Sequence, residues 1–351
     1  MTKTITGNFF EDFSLGQTLR HATPRTVSEG DAALYLALYG SRFPLSSSRE
    51  AARTLGYADA PLDDWLAFHL VFGKTVPDIS LNAVANLGYA KGLFTRPLYA
   101  GDTVSARSEV IGLKENSNGK TGTVYVRSIG LNQNEETVLD YRRWVMVRKR
   151  DPASPAPEPT VPELPTAVAP ADLCLPQGVD FSRYDTALTG QPHLFEDYAE
   201  GERIDHVDGM TIEEAEHQMA TRLYHNTARV HFNQHAEKDG RFGKRIVYGG
   251  HIISMARALS FNGLGNAVAV AAINGGSHTN PSFAGDTIYA WSEVLAVHEI
   301  PGRRDLGALR LRTVATKDRP CGDFPYKDAA GKVDPAVVLD LDYTVLMPRR
   351  S

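Results

Sequence analysis

Apolar and polar residues alternate in LRLRTV from Leu309, and β-branched and aromatic residues crowd the segments around it. TIYAWSEVLAVHEI, LGALRLRTVATKD and AVVLDLDYTVLMPR late in the chain, with GTVYVRSIGLNQN and TVLDYRRWVMVRK earlier, predict antiparallel strands with one face covered. The shorter AVAVAAING reads the same way. Two other segments carry helical signals. SEGDAALYLALYG and TIEEAEHQMATRLYH each open on a hydroxyl residue followed by acids, so Ser28 and Thr211 are the expected N-caps. Between Gly250 and Phe261, GHIISMARALSF places Ile252, Ile253, Met255, Ala256 and Leu259 at helical spacing with little polar relief. That pattern suits a helix wrapped by a sheet. Helix comes early and strand late, an α+β order rather than βαβ. No GxGxxG or GxxxxGK[ST] supports a nucleotide fold.

The pattern occurs twice. FEDFSLGQTLRH from Phe10 aligns without a gap on FEDYAEGERIDH from Phe195. RPLYAGDTVSARSEVIGL from Arg96 matches NPSFAGDTIYAWSEVLAV from Asn280, and VLDY at Val138 matches VLDL at Val338. A series of matches in one order indicates duplication of a whole domain, since the unit is far larger than a solenoid repeat. Between the copies, residues 151–170 hold seven prolines in twenty residues. Proline lacks the backbone N–H and restricts its predecessor, so an extended, exposed tether is expected there. The expected division is therefore 1–150, a proline-rich linker over 151–170, and 171–351.

Composition narrows the class. The chain has 351 residues, 42% of them hydrophobic, enough for a substantial core. A formal net charge of −5 gives no basic footprint for nucleic acid. Cys174 and Cys321 have neither metal-ligand nor disulfide-framework spacing and read as free thiols. The amino terminus lacks a basic-then-apolar leader, and the run from Ala267 to Ile273 is too short to span a bilayer. A cytoplasmic protein without membrane partners is the expectation.

The candidate chemistry lies between His225 and His251, in HNTARVHFNQHAEKDGRFGKRIVYGGH. With the tandem layout, the FEDF and FEDY openings and the YHNTARVHFN segment, the chain resembles the MaoC-like (R)-specific enoyl-CoA hydratase superfamily. The resemblance covers nearly everything outside the tether and implies a double hot-dog, each half an antiparallel sheet wrapped around a central helix. In the superfamily pattern an aspartate, an asparagine-proline pair and a histidine precede phenylalanine-glycine and histidine-glycine pairs. Here the histidine falls on His231 and the aspartate on Asn226. The asparagine-proline pair becomes Ala228-Arg229, Phe242-Gly243 are kept, and Tyr248-Gly249 replace histidine-glycine.

The implied activity is reversible hydration of an enoyl-CoA, narrowing to a branched C4 dicarboxylic acyl group, mesaconyl-CoA giving β-methylmalyl-CoA. No cofactor is expected beyond the coenzyme A of the substrate, and a homo-oligomer, a dimer as first guess, is anticipated. Histidine suits proton transfer near neutrality. An amide cannot shuttle a proton, so either Asn226 positions water while His231 does the chemistry, or a carboxylate such as Asp197, Glu214 or Glu237 assists. Gly249 and Gly250 open the apolar helix, where free N–H groups can meet a thioester oxygen that gains charge, and Tyr248 adjoins them. Arg229, and less directly Arg222, are candidates to meet a substrate carboxylate. His225, His231, His235 and His251 lack a zinc pattern. In the first copy Ser41 and Ser46 stand where Asn226 and His231 stand, so that half is expected to be catalytically degenerate. Two alternatives stay open: a hot-dog thioesterase, disfavoured because the helix from Gly250 lacks acids, and a non-catalytic acyl-CoA-binding protein.

Overall fold

A computed structural model describes residues 3–350. The strands form one ten-stranded antiparallel sheet in the order β1-β3-β4-β5-β2-β7-β10-β9-β8-β6. Strands β1 (Thr18–Thr26), β2 (Ala83–Phe94), β3 (Thr103–Glu115), β4 (Thr121–Leu131) and β5 (Thr137–Arg148) come from the first copy. Strands β6 (Arg203–Thr211), β7 (Ala269–Ser277), β8 (Thr287–Glu299), β9 (Leu306–Lys317) and β10 (Val337–Pro348) repeat them. The order is a palindrome of equivalent strands, closed where β2 pairs with β7, Tyr89 opposite Gly276 and Leu93 opposite Ala272. Side chains repeat as well: His21 bonds Ser108 and Ser108 bonds Ser128, as His206 bonds Ser292 and Ser292 bonds Thr313, all at 2.7–2.8 Å. The α+β double hot-dog anticipated from the repeat is the fold observed.

Each half carries two main helices, α1 (Glu29–Tyr39) and α2 (Asp64–Thr75) in the first, α3 (Glu214–Leu223) and α4 (Gly249–Leu259) in the second. α2 and α4 are buried along almost their whole length, wrapped by the sheet as their unbroken apolar runs require. They meet where His69 Nε2 lies 2.9 Å from Ser254 Oγ, and Tyr35 donates to the same hydroxyl. Ser28 caps α1 as expected, its hydroxyl accepting from Asp31 N–H at 3.1 Å. Thr211 does not cap α3. It ends β6, its hydroxyl paired across to Thr287 at 2.8 Å as Thr26 pairs with Thr103, and the N-cap is Glu213. Cross-strand pairing takes the hydroxyl that sequence pattern assigned to capping.

The proline-rich segment is extended and mostly exposed. It is nevertheless fixed to the sheet: Thr160 exchanges both backbone hydrogen bonds with Leu113 of β3, and Val168 N–H reaches Asn274 Oδ1 at 2.9 Å. Both cysteines are free, and Cys321 is buried. Among the described residues, no helix is long and apolar enough to cross a membrane.

Candidate active site

The turn after α3 builds one wall of a cavity of about 350 Å³. His225 takes a left-handed φ of 55° and reverses the chain, and Asn226 N–H returns to Thr221 O at 3.0 Å. Asn226 is buried, and its Oδ1 accepts from Ala228 N–H at 3.1 Å, an Asx turn. That turn starts a short helical turn, Arg229–Phe232, which carries His231 to the cavity. Gln218 of α3 holds the His231 carbonyl at 2.6 Å.

The imidazole has one defined tautomer. His231 Nδ1 lies 2.9 Å from the carbonyl oxygen of Ile246, an atom that can only accept. Nδ1 therefore carries the proton, and Nε2 presents a lone pair. Burial pushes the His231 pKa down to about 4, against the raising effect of the Ile246 bond, so the ring is a neutral acceptor at pH 7. The Tyr248 ring packs on it at 5.7 Å between centroids, and the Tyr248 hydroxyl points to His69 Nδ1 at 3.4 Å.

Tyr248 is the N-cap of α4 and offers no side-chain cap, which leaves the first N–H groups of the helix uncapped by a side chain. Gly249 borders the cavity. A β-carbon there would overlap the ring of His278, which also lines the cavity, so glycine is required for close approach. Gly250 plays a different part: a β-carbon would overlap the rings of Tyr248 and His69, so it serves the contact with α2.

Of the carboxylates considered from sequence, Asp197 is engaged by Arg350 and Glu214 by Arg245, while Glu237 is half-buried outside the cavity. None borders the cavity, and no Asp or Glu lines it among the described residues. Arg229 and Arg241 lie exposed at its edge, and Arg222 is exposed away from it. His225 and His235 are exposed, and His251 turns inward to Tyr39 at 2.8 Å. The four histidines do not converge, and among the described residues no cluster of three His, Cys, Asp or Glu could hold a metal.

The opposite wall comes from the first copy, through Phe72 and Val76 around the end of α2, Asn86 and Tyr89 of β2, and Arg143 and Val145 of β5. Sequence reasoning did not reach these residues, because it followed the motif within one copy while the cavity is shared between the two. His278 was missed as well. The equivalent position in the first half holds a much smaller space. In the register set by Phe10 and Phe195, Asp63, Asp64 and Trp65 stand where Tyr248, Gly249 and Gly250 stand. Asp64 is spent on Val270 N–H at 2.7 Å, and Cys174, Leu175 and Pro176 border the small remaining space of about 70 Å³ together with Ser46.

A double hot-dog with a histidine-bearing turn facing the start of a buried central helix defines the MaoC-like class. The chain matches the crystal structure of a MaoC domain protein from Chloroflexus aurantiacus with a TM-score of 0.98 at 68% identity over all of both chains. It matches a double hot-dog protein of Mycobacterium tuberculosis at a TM-score of 0.76 and 26% identity, over 98% of this chain and 99% of that one. The mesaconyl-CoA hydratase family profile matches residues 2–322, and the chain belongs to that family. It is 68% identical over 349 residues to the β-methylmalyl-CoA dehydratase of C. aurantiacus, covering 99% of each. To the mesaconyl-CoA hydratase of Cereibacter sphaeroides it is 60% identical over 351 residues, 99% of this chain and all of that one.

Proposed function

We infer that this chain is a hydro-lyase that interconverts mesaconyl-CoA and β-methylmalyl-CoA by reversible addition of water. One observation carries the site assignment: a neutral histidine of fixed tautomer faces a cavity bordered by the uncapped start of a buried helix, in a chain of this family. In the hydration direction His231 Nε2 takes a proton from water as its oxygen bonds to C3 of the enoyl group. The π electrons move toward the thioester, giving an enolate whose oxygen is met by the Gly249 N–H at the start of α4. The imidazolium then returns the proton to C2, so atoms and charge balance. Asn226 has its Oδ1 committed to Ala228, which leaves its NH₂ to hold the water oxygen. The first half supplies the far wall and no acid–base pair of its own, and of its matched serines Ser46 lies beside the smaller space.

The test is incubation with mesaconyl-CoA and crotonyl-CoA, following the enoyl-thioester absorbance and free thiol together. Loss of absorbance on mesaconyl-CoA without thiol release is expected. Thiol release would point to a thioesterase, and no change in either signal to an acyl-CoA-binding protein.

A further inference from the structure

A buried cation in this cavity has no counter-ion among the described residues. Arg143 of β5 is 1% exposed and forms no ion pair among the described residues. Its immediate neighbour Arg142, by contrast, meets Asp140 at 2.9 Å. The partners of Arg143 are all neutral. Nη2 donates to the hydroxyls of Thr75 and Ser80, each at 2.8 Å, and Nη1 reaches Asn86 Oδ1 at 3.4 Å. The guanidinium lies over the Phe72 ring at 4.3 Å. Nε of Arg143 and Nδ2 of Asn86 are buried without any hydrogen-bond partner, and both residues line the cavity.

A buried guanidinium served only by neutral groups is costly, because hydroxyls and an aromatic face return less than the water they replace. The cost is offset when a bound anion supplies the missing charge and accepts from the idle donors. The duplication adds an independent sign. In the register of VLDY and VLDL, Arg143 corresponds to Tyr343, a neutral phenol bonded to Thr313 at 3.1 Å. The cation is thus present only in the copy whose sheet faces the open cavity, and packing of the fold alone does not demand it.

We propose that Arg143, with Asn86 beside it, receives the free carboxylate of the acyl group and selects dicarboxylic over monocarboxylic thioesters; this rests on the hydratase reading above. Arg229 and Arg241, exposed at the cavity edge, act through water and discriminate far less, as exposed charges are screened. Arg143 is a specificity residue that positions the substrate, and it takes no part in proton transfer.

The test compares mesaconyl-CoA with tigloyl-CoA, in which a methyl group replaces the carboxylate on the same branched double bond. The readout is the ratio of their kcat/KM values. In Arg143→Met the ratio is expected to fall about 100-fold, the scale for removing one partner of a buried charge pair. Arg229→Met is expected to change it by less than about threefold, as for an exposed ion pair. Asn86→Asp is the second variant: it pairs the guanidinium internally instead of stripping it, so it protects against failure to fold, and the fixed carboxylate competes with the substrate's. Its ratio is also expected to collapse. A ratio unchanged in either folded variant overturns the proposal while leaving the hydratase reading intact. A parent enzyme inactive on mesaconyl-CoA overturns both.

Discussion

His231 earns its place through atoms its own sequence position does not supply. The Ile246 carbonyl selects its tautomer, and the enclosing protein keeps it neutral. A base that stays unprotonated at pH 7 and points its lone pair at the cavity needs no carboxylate partner. On the proposed reading, Asn226 can stand where the family pattern has an aspartate because no second proton carrier is needed, and no Asp or Glu lines the cavity among the described residues. His231→Ala is expected to lower kcat for mesaconyl-CoA hydration by roughly 10²–10⁴-fold, the usual contribution of a positioned acid–base group. Ser46→Ala, at the matched place in the first copy, should leave it within about twofold, since that side chain bonds only Phe43 O and does not line the cavity that holds His231. Steady-state rates decide it, and near-normal turnover in His231→Ala would remove this residue from the chemistry. The sequence made His231 and Asn226 visible through their spacing to the glycine-rich helix start. It did not reveal Arg143 or His278, because each lies on a strand or strand end remote in sequence from the turn it faces.

At the level of elements, the site depends on how closely α2 approaches the turn after α3. Gly73 of α2 sits against that turn, and a β-carbon on it would overlap the Tyr224 carbonyl oxygen and crowd Asn226 N–H. A helix interior normally gains from Gly→Ala. Here the expected sign is reversed: Gly73→Ala should lower the midpoint of thermal unfolding by several degrees, on the order of 1–3 kcal/mol of overpacking, and reduce kcat by displacing the Asn226 turn. A calorimetric scan showing equal or higher stability would mean that the two elements separate without cost. The proline-rich strand between the copies shows the same lesson. Its composition predicted an extended, exposed chain, and it is one, but the Thr160–Leu113 pairing makes it a strap laid on β3 rather than a free tether. Edge pairing is available to any extended backbone with a free N–H, and Thr160, between Pro159 and Val161, provides it.

For the molecule as a whole, enclosure of neutral histidines sets the acid limit of stability. Burial holds His206, His231 and His278 at about 4, His251 at about 3, and His69 well below its ordinary value. Unfolding returns each toward about 6.5, so the unfolded chain binds more protons as the pH falls below that value. Stability present above pH 6.5 is therefore lost as the pH falls toward 4. Two carboxyls oppose this, because burial raises Asp63 and brings Asp64 up to about 7, so both bind protons earlier in the folded state. Burial lowers His217 and His225 as well, so seven histidines take up protons on unfolding against two aspartates that release them, and the net sign is destabilising. Urea unfolding midpoints measured from pH 7 to pH 4.5 should decline steadily. A flat or rising midpoint would show that the two aspartates dominate.

Period-two and period-three-to-four patterning, together with the duplicated segments, determined the α+β class, the tandem plan and the buried helix of the second half. These are local or repetitive properties, written in which face of each element must leave water. The spacing of Asn226, His231 and Gly249 likewise follows from one continuous stretch, so the motif half of the site was legible. What only the tertiary structure decided is everything that depends on the two copies meeting. Pairing of β2 with β7 brings α2, β2 and β5 of the first half over the turn of the second, and that contact creates the cavity, places Arg143 in its wall and leaves a much smaller space bordered by Asp64 at the equivalent position. Whether an arginine on a strand is a solvated charge or a buried one awaiting a partner is not a property of its neighbours in sequence. It is fixed by which surface folds over it, and by whether that surface brings a carboxylate to neutralise it.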